Sequence, residues 1–587
     1  VVEGQWAWRS VEAPLPADLL AAVADARCAP VVARLLWNRG IRDGETAHAF
    51  LRPTLARGLR APQLMQDLER AAVRLGDALA AGERIAVYGD YDVDGMSGAA
   101  ALVLFLRELG ADPLLHVAHR AREGYGLSAA VLRRLRAEGA RVVVTADLGT
   151  ANVAELALAR DLGLDVIVCD HHHTPAARPP AYALLNPLQP GCRFPFKGLA
   201  AAGVVFYLLM GLRAELRARG RAALPDLRPY LDLVALGTVA DVVPLREENR
   251  VLVAHGLRVL ERTVRPGLRA LKEAALVDRA TVRAIGFRLG PRLNAGGRLA
   301  DARLGVDLLT TESPERARAL AAELELYNAA RRDVEERMLA EAMAAVEADQ
   351  RDAPAFVVAG EGWHQGVVGI VAARLVDRFQ RPALAVAVAG EEGRGSGRSP
   401  EGVHLLAALA ACADVLERFG GHRQAAGFVV RAARLPELRR RFAAAVDRGQ
   451  GAFRVPRIDI DAELSLAAVT PRLAEALAAL EPHGPGNPEP RFLARDVRIE
   501  GVRLVGDPAR PHLRLRLRQD GRTLRAIGFG MGRRPVHTGD RLDVVFTPRL
   551  DRWQGVERLE VEVVALRAAS APGQVQPSEI SAEALIP

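Results

Sequence analysis

Thiols and lysines are scarce in this chain, and no apolar run is long. Four cysteines in 587 residues, Cys28, Cys169, Cys192 and Cys412, cannot staple a chain of this length and show no CxxC spacing. A disulfide scaffold is thereby excluded, and a reducing, cytoplasmic setting is expected. The first residues, Val1-Val2-Glu3-Gly4-Gln5-Trp6, lack the basic segment and apolar core of a signal peptide. The longest apolar run, residues 199–212, has fourteen members. About 20 are needed to cross a bilayer, so this run reads as a buried helix and no membrane partner is expected. Lys197 and Lys272 are the only lysines, which leaves 77 of the 79 cationic side chains as arginine. Coding bias accounts for much of that skew, so arginine abundance alone identifies no ligand.

What remains is ordinary globular composition, 50% hydrophobic and 26% charged, which excludes a disordered tail protein. The length is several times the usual domain of ~150 residues, so several domains are expected. The formal charge is +8, and segment 491–567 holds 17 Arg against 10 Asp or Glu, a surplus of seven. Nearly all of the net charge is therefore concentrated in that segment.

Short apolar runs at 85–88, 114–117, 142–145 and 166–169 are each followed by polar or glycine residues and then a helical pattern such as 97–109. This predicts a parallel sheet with crossover helices, in which ligands bind beyond the carboxyl ends of the strands. From Ser313 the pattern changes. Ser313 can cap, Pro314 suits the first helical position, and 315–349 holds neither Gly nor Pro, which predicts a long helix between domains. A second α/β pattern follows, with strands at 355–358 and 384–388, a helix at 367–379, and then a Gly/Ser/Arg segment read as a loop. Beyond about Arg457, alternation such as Leu513-Arg514-Leu515-Arg516-Leu517-Arg518 describes half-buried strands and a small β-barrel. The expected domains are an N-terminal extension (1–60), a parallel-sheet domain (61–312), a connecting helix (313–350), a second α/β domain (351–455), the barrel (456–568) and a frayed tail (569–587).

Chemistry concentrates at the strand ends. In Tyr88-Gly89-Asp90-Tyr91-Asp92-Val93-Asp94-Gly95-Met96-Ser97-Gly98, three carboxylates at alternate positions repel one another unless a cation or hydrogen-bond donors compensate. For the triplet alone, a solvated acidic turn capping a helix from about Ser97 remains an equal alternative. Two later strand ends repeat the theme, with Asp147 after 142–146 and Asp170-His171-His172-His173 after 166–169, and Asp241 lies in the apolar 236–245. Carboxylates and imidazole without thiolate suit Mn²⁺ or Mg²⁺ better than structural zinc. The ligands suffice for two ions, the arrangement used for in-line phosphoryl displacement.

These motifs, in this order, resemble those of the DHH phosphoesterase superfamily. Asp90 to Gly98 together with Glu123-Gly124-Tyr125-Gly126-Leu127 is similar, more narrowly, to the RecJ family of single-strand-specific 5′→3′ exonucleases. Segments 362–370, 395–399 and 420–428 resemble the second domain of that family, and the likeness covers roughly residues 60 to 565. The resemblance implies an α/β fold: a parallel-sheet DHH domain joined by a long helix to a second α/β domain, plus a C-terminal oligonucleotide-binding (OB-like) barrel. It further implies that Asp92, Asp94, Asp147, His171 and Asp241 hold two divalent ions, Mn²⁺ or Mg²⁺, with Asp147 between them and Asp90 as ligand or neighbour. Asp170 would orient His171, His172 would assist water or the leaving group, and His173 receives no role. The implied reaction is hydrolysis of the terminal phosphodiester of single-stranded DNA to 5′-mononucleotides in recombination and repair, with a helicase and a single-strand-binding protein as partners.

Arg398 beside Ser396 and two glycines suits a phosphate pocket, because glycine lets the backbone approach and guanidinium binds phosphate bidentately. The resemblance makes these two the anchors of the 5′-phosphate, with Arg120 joining them. Arg292, Asn294 and Arg298, in a second Gly/Arg/Asn segment, are expected to hold phosphates near the cleavage point. Tyr125 is expected either to stack on a base or to be a core tyrosine, and Gln365 and His422 either to line the cleft or to satisfy backbone groups. Arg514, Arg516 and Arg518 form a track for phosphates or else a solvated strand face. Two other functions stay open: a DHH phosphodiesterase for short oligonucleotides or cyclic dinucleotides, whose relatives generally lack the barrel, and a non-catalytic DNA-binding scaffold, which generally loses ligands.

Overall fold

The computed structural model describes residues 5–9, 14–23, 28–120, 122–448, 457–508, 511–553 and 556–569, without the side chains of 551–557. Residues 570–587 of the expected tail lie outside this set. The described residues fall into two compact units, one within Gly58–Phe453 and the other within Val1–Arg57 and Arg454–Pro587. No described helix is long and apolar enough to cross a membrane.

The first unit opens with a five-stranded parallel sheet made of β1 (Arg84–Gly89), β2 (Leu114–Val117), β3 (Ala140–Ala146), β4 (Asp165–Cys169) and β5 (Ala183–Leu185), in the order β2-β1-β3-β4-β5. Every pair is parallel, so all carboxyl ends meet at one edge. Val142, Val143 and Val144 of β3 are fully buried, as expected of a strand covered on both faces. One face packs on Leu132 and Leu135 of helix α2 (Ala129–Ala137) and Leu156 of α3 (Val153–Asp161). Helix α1 (Val93–Glu108) runs close against β3, where a Cβ on Gly98 would sit 3.2 Å from that of Ala146. The apolar run at 199–212 falls in helix α4 (Ala201–Ala218), most of which is buried. Helix α5 (Leu231–Ala240) packs beside α1 and α4.

The long helix is α7 (Pro314–Asp349), which follows α6 (Gly290–Leu299) and is capped by Ser313 Oγ accepting from Arg316 N. Its later residues Met338, Ala342 and Val346 join the core of the second lobe with Phe356, Val368 and Val371. That lobe contains β6 (Phe356–Glu361), α8 (Val368–Phe379), β7 (Ala383–Ala389), β8 (Glu392–Arg398), β9 (Leu416–Gly421) and β10 (Ala425–Arg431), with sheet order β9-β10-β8-β7-β6.

The Gly/Ser/Arg segment is therefore a central strand and not the expected loop. Glycine content suggested a loop, but the glycines alternate because one face of β8 has no room for side chains. A Cβ at Gly393, Gly395 or Gly397 would lie 2.9 Å from Val386, 2.1 Å from Phe428 or 2.6 Å from Leu384. Arg394, Ser396 and Arg398 necessarily point the other way.

In the second unit, strands Phe492–Val505, His512–Gln519, Arg522–Gly528, Val556–Ala568 and Arg541–Trp553 pair in sequence around a closed barrel, the first also pairing with the last. Leu513, Leu515 and Leu517 face inward while Arg514, Arg516 and Arg518 are exposed. Segment 1–60 is not a simple appendage. Strand Gln5–Trp8 pairs in parallel with Arg457–Ile460, and Leu19, Val32, Leu35 and Leu36 belong to the same core as Leu513, Val544 and Phe546.

Candidate active site

The acidic triplet leaves the end of β1, and each carboxylate has a different local task. Asp90 N donates to Ala146 O at 3.0 Å, which ties the turn to the neighbouring strand, and the side chain is buried. Gly95 is required here, since a Cβ would lie 2.7 Å from Asp90 N. Asp92 Oδ1 accepts from Asp94 N and Gly95 N at 3.0 and 3.2 Å, so the helix starts at Val93 and not near Ser97. Asp94 turns to the start of α4, where its Oδ2 accepts from Ala201 N at 2.7 Å and its Oδ1 from Ala202 N at 2.9 Å. The capping alternative is thus correct for Asp92, but it leaves the buried Asp90 Oδ1 without a hydrogen-bond donor.

Asp147 follows β3 in the left-handed region, at φ 68°, with its N–H donating to Cys169 O at 2.9 Å. Asp is among the few residues that tolerate this conformation. Asp241 caps the C-terminal end of α5. His171 Nε2 lies 3.3 Å from Asp147 Oδ1, 3.5 Å from Asp241 Oδ2 and 4.0 Å from Asp94 Oδ2. Ligand atoms of Asp90, Asp92 and Asp147 lie within 4.8 Å of one another, as do those of Asp94, His171 and Asp241. Asp147 adjoins both sets.

Asp170 departs from expectation. Its Oδ1 meets the His172 ring at Nδ1, 2.8 Å away, and accepts the backbone N–H groups of His171 and His172, while Oδ2 accepts from Thr150 N. The carboxylate therefore orients the ring of His172 and only the backbone of His171.

Electrostatically this cluster is strained in the absence of a cation. Burial and then Asp92 push Asp94 up to about 7, and burial and then Asp94 push Asp241 up to about 9. Burial, with Asp92 second, also raises Asp90 and Asp147 well above the carboxylate range. Burial and then the neighbouring His172 lower His171 to about 4, which keeps its imidazole neutral. For His172 burial acts downward, yet the Asp170 hydrogen bond and charge carry it up to about 9. Asp90 Oδ1, Asp147 Oδ1 and His171 Nε2 are all buried without a hydrogen-bond partner. Carboxylate oxygens and a neutral imidazole nitrogen aimed at one space fit a hard divalent cation.

A cleft of about 730 Å³ joins this cluster to the second lobe. Its lining includes Asp90, Asp92, Asp147, His172, Asp241, Arg120, Tyr125, Asn294, Arg298, Gln365, Ser396, Arg398 and His422. Arg398 Nη1 donates to Ser396 Oγ at 2.9 Å and to Gly397 O at 2.7 Å. Burial and then Arg120 lower Arg398, while burial and then Arg120, Arg331 and Arg398 lower Arg298 to about 9. Crowded guanidinium groups of this kind favour an anion. Tyr125 is 45% exposed and so is not a core residue. Its hydroxyl donates to Asp147 O at 3.2 Å and lies 2.9 Å from His172 Nδ1.

Arg292 is not among the lining residues. Its guanidinium pairs with Glu325 on α7 and donates to Arg288 O, so it braces a helix where a phosphate contact was expected. Sequence reasoning also missed Arg394, Arg418 and Phe419, which line the second-lobe wall. The alternation Arg394, Ser396, Arg398 was the available signal for the first of these. In the barrel unit, a groove of about 800 Å³ is lined by Arg503, Arg514, Arg516, Arg525 and Arg558. Arg503 stands opposite Arg514, and Arg525 opposite Arg516. Arg518 is not among these and pairs with Glu500 at 2.9 Å, a carboxylate that Arg516 also meets at 3.6 Å.

Three family models match along the chain: the DHH family N-terminal domain over 84–238, the DHHA1 domain over 352–448 and the RecJ OB domain over 460–565. The single-stranded-DNA-specific exonuclease RecJ of Bacillus subtilis is 36% identical over 542 residues, 91% of this chain and 67% of the relative. The chain belongs to the RecJ family. Among solved structures, Thermus thermophilus RecJ in complex with Mn²⁺ superposes with a TM-score of 0.82 at 33% identity, covering 97% of this chain and 80% of the other. The Mg²⁺ complex of the same RecJ gives 0.76 at 31% identity, with 97% and 79% coverage. The barrel matched as the RecJ OB domain is the closed one described above.

Proposed function

We infer that this RecJ-family chain is a single-stranded-DNA-specific exonuclease that uses two divalent ions, Mn²⁺ or Mg²⁺, and removes mononucleotides from the 5′ end. The observation that carries this reading is the set of three buried, unpartnered ligand atoms on Asp90, Asp147 and His171, at the edge of a cleft lined by guanidinium groups. Asp90, Asp92 and Asp147 would hold one ion, and Asp94, His171 and Asp241 the other. When bound, such ions polarise the scissile phosphate, activate water and neutralise charge on the leaving oxygen.

The chain's own residues supply the rest. Asp94, Asp92 and Asp147 are fixed before substrate arrives by backbone donors, the helix cap and the left-handed turn, so little reorganisation is needed during reaction. His172, its Nδ1 held 2.8 Å from Asp170 Oδ1 in the wall of the cleft, is suited to assist water or the departing oxygen. Arg398, held by Ser396, and Arg120 would grip the terminal phosphate. A grip at fixed distance from the carboxylates removes one nucleotide per event and sets the 5′→3′ direction. In the barrel, Arg503, Arg514, Arg516 and Arg525 would follow the strand's phosphates. The alternative of a phosphodiesterase for very short oligonucleotides leaves this arginine face without a purpose. We place the reaction in the cytoplasm, on strands unwound by a helicase and shared with a single-strand-binding protein.

The test is a digest of end-labelled single strands of several lengths. Mononucleotides should appear from the 5′ end with Mn²⁺ or Mg²⁺ and disappear with EDTA. Turnover confined to dinucleotides, or binding with no turnover at any metal concentration, would sink the reading.

A further inference from the structure

Arg120 and Tyr125 reach the cleft from one loop, between β2 and α2, and that loop is fastened from beneath by a residue that does not line the cleft. Glu123 Oε2 accepts from Tyr88 OH at 3.1 Å and lies 3.0 Å from His116 Nε2. Its side chain is 17% exposed. Tyr88 and His116 are register partners on β1 and β2, and their rings meet edge to face at 4.6 Å. Arg134 Nη2 lies 2.9 Å from His116 Nδ1. A guanidinium can only donate, so Nδ1 is the acceptor and Nε2 carries the proton given to Glu123. Burial, the largest influence on His116, lowers its pKa and favours this neutral tautomer. Glu123 N donates to His119 O at 2.8 Å, which folds the loop back on itself.

The other end of the loop is pinned as well. Leu127 N donates to Asn152 Oδ1 at 3.1 Å, and Gly126, at φ 103°, would place a Cβ 2.6 Å from that same oxygen. The groups that matter to substrate stand on either side of Glu123, Arg120 before it and Tyr125 between it and the Leu127 pin. Arg120 lies 3.9 Å over the Tyr91 ring, and Tyr125 touches His172 and Asp147 through its hydroxyl. Both are side chains of one short segment, so a shift of its floor moves the two together.

We propose that Glu123 is a positioning residue that sets the grip on the strand's terminal phosphate and the orientation of His172 at once. The proposal rests on the reading of Arg120 and Arg398 as the phosphate anchor. Loss of the Glu123 carboxylate leaves the His116 N–H without that acceptor and the Tyr88 hydroxyl with only the long contact to Gly126 O, 3.5 Å away, so the middle of the loop loosens from the sheet while the Leu127 end stays pinned. Neither the ion ligands nor Arg398 is touched by that change.

The experiment compares steady-state kinetics on 5′-phosphorylated and 5′-hydroxyl strands of one sequence, using the full chain with Mn²⁺. Because misplacement by about 1 Å can cost ~100-fold, Glu123→Ala should lower kcat about tenfold or more and lower the preference for the phosphorylated end by a similar factor. Glu123→Gln, which keeps an acceptor for Tyr88 and His116, should recover both to within about threefold. Tyr88→Phe, nearly isosteric, should move both in the same direction by about two- to fivefold. The rise in melting temperature on adding Mn²⁺ should persist in every variant.

A Glu123→Ala enzyme that melts earlier yet keeps both quantities within about twofold would overturn the proposal. If that variant does not fold, an unchanged Tyr88→Phe enzyme overturns it. Should the parent enzyme fail to distinguish the two ends, the anchor reading falls, and Glu123 is then judged on kcat and its recovery in the Gln variant.

Discussion

Gly237→Ala probes the ion cluster without altering a charge. Gly237 lies in α5 with its Cα turned toward the start of α4, and a Cβ there would fall 2.6 Å from Asp94 Oδ1 and 2.8 Å from Ala202 Cβ. Both distances are shorter than real Cβ contacts, and neither neighbour is the far end of a flexible side chain. Asp94 Oδ1 is also bound to Ala202 N at 2.9 Å, so the added methyl wedges apart the junction that aims this carboxylate at His171. Alanine is favoured over glycine in a helix by about 1 kcal/mol, while overpacking a tight core costs about 1–3 kcal/mol. The net loss of stability is then about 0–2 kcal/mol. The effect on chemistry is larger. A displacement of roughly 0.5–1 Å at a ligand should lower turnover ~10–100-fold, and the Mn²⁺ concentration for half-maximal activity should rise about tenfold. Nucleotide release from single-stranded DNA across a Mn²⁺ titration, with a parallel melting curve, reads all three quantities. Turnover and Mn²⁺ midpoint both within about twofold of the parent would refute the argument that Asp94 is aimed by this contact.

Asp147→Asn keeps a residue that tolerates the left-handed turn but removes a charge that belongs to one proposed ligand set and lies 3.3 Å from His171 of the other. Nucleotide release should fall by about three orders of magnitude or more, with single-strand affinity by filter binding nearly unchanged. Arg398→Ala should reduce the preference for a 5′-phosphate over a 5′-hydroxyl end about tenfold or more in a competition digest, because the charge-assisted phosphate contact proposed for it would be lost. In metal-free protein, Asp94 and Asp241 have folded-state pKa values of about 7 and about 9, above the unfolded carboxylate range. Their contribution to stability is therefore full at acid pH and lost as pH rises through those values. EDTA-treated protein should lose melting temperature from pH 5 toward pH 9. Saturating Mn²⁺ should restore it, by about 2.7 kcal/mol at a hundredfold excess over Kd, and should release protons in a weakly buffered titration near pH 7. In the barrel, Arg514→Ala should flatten the dependence of log affinity on log salt by about 0.7 for one lost single-strand phosphate contact, and an unchanged slope would place Arg514 off the strand's path.

Much of the site could be read from local order along the chain. A strand ends where β-branched apolar residues give way to Asp, and in a parallel sheet all such ends share an edge. Asp90, Asp92, Asp147 and Asp170-His171-His172 were therefore bound to converge, whatever the loops did. The long helix announced itself through Ser313, Pro314 and the want of Gly and Pro after them. These features rest on interactions within a few residues of one another or on the fixed geometry of parallel pairing.

Other features depend on which atom meets which, and local pattern does not contain that information. The Gly393 to Arg398 segment has a loop's composition, and only Phe428, Val386 and Leu384 pressing on its glycines make it a strand with Arg394, Ser396 and Arg398 on the open side. Arg292 and Arg298 sit in one motif, yet Glu325 claims the first while the second, half-buried, donates to Gly366 O and lines the cleft among other guanidiniums. Asp170 was expected to steer His171 and holds the ring of His172, because hydrogen-bond choice among adjacent histidines turns on rotamers fixed by packing. The first fifty-odd residues carry no motif, but their leucines and valines complete the barrel's core, a partnership across more than four hundred residues that exists only once the chain has folded.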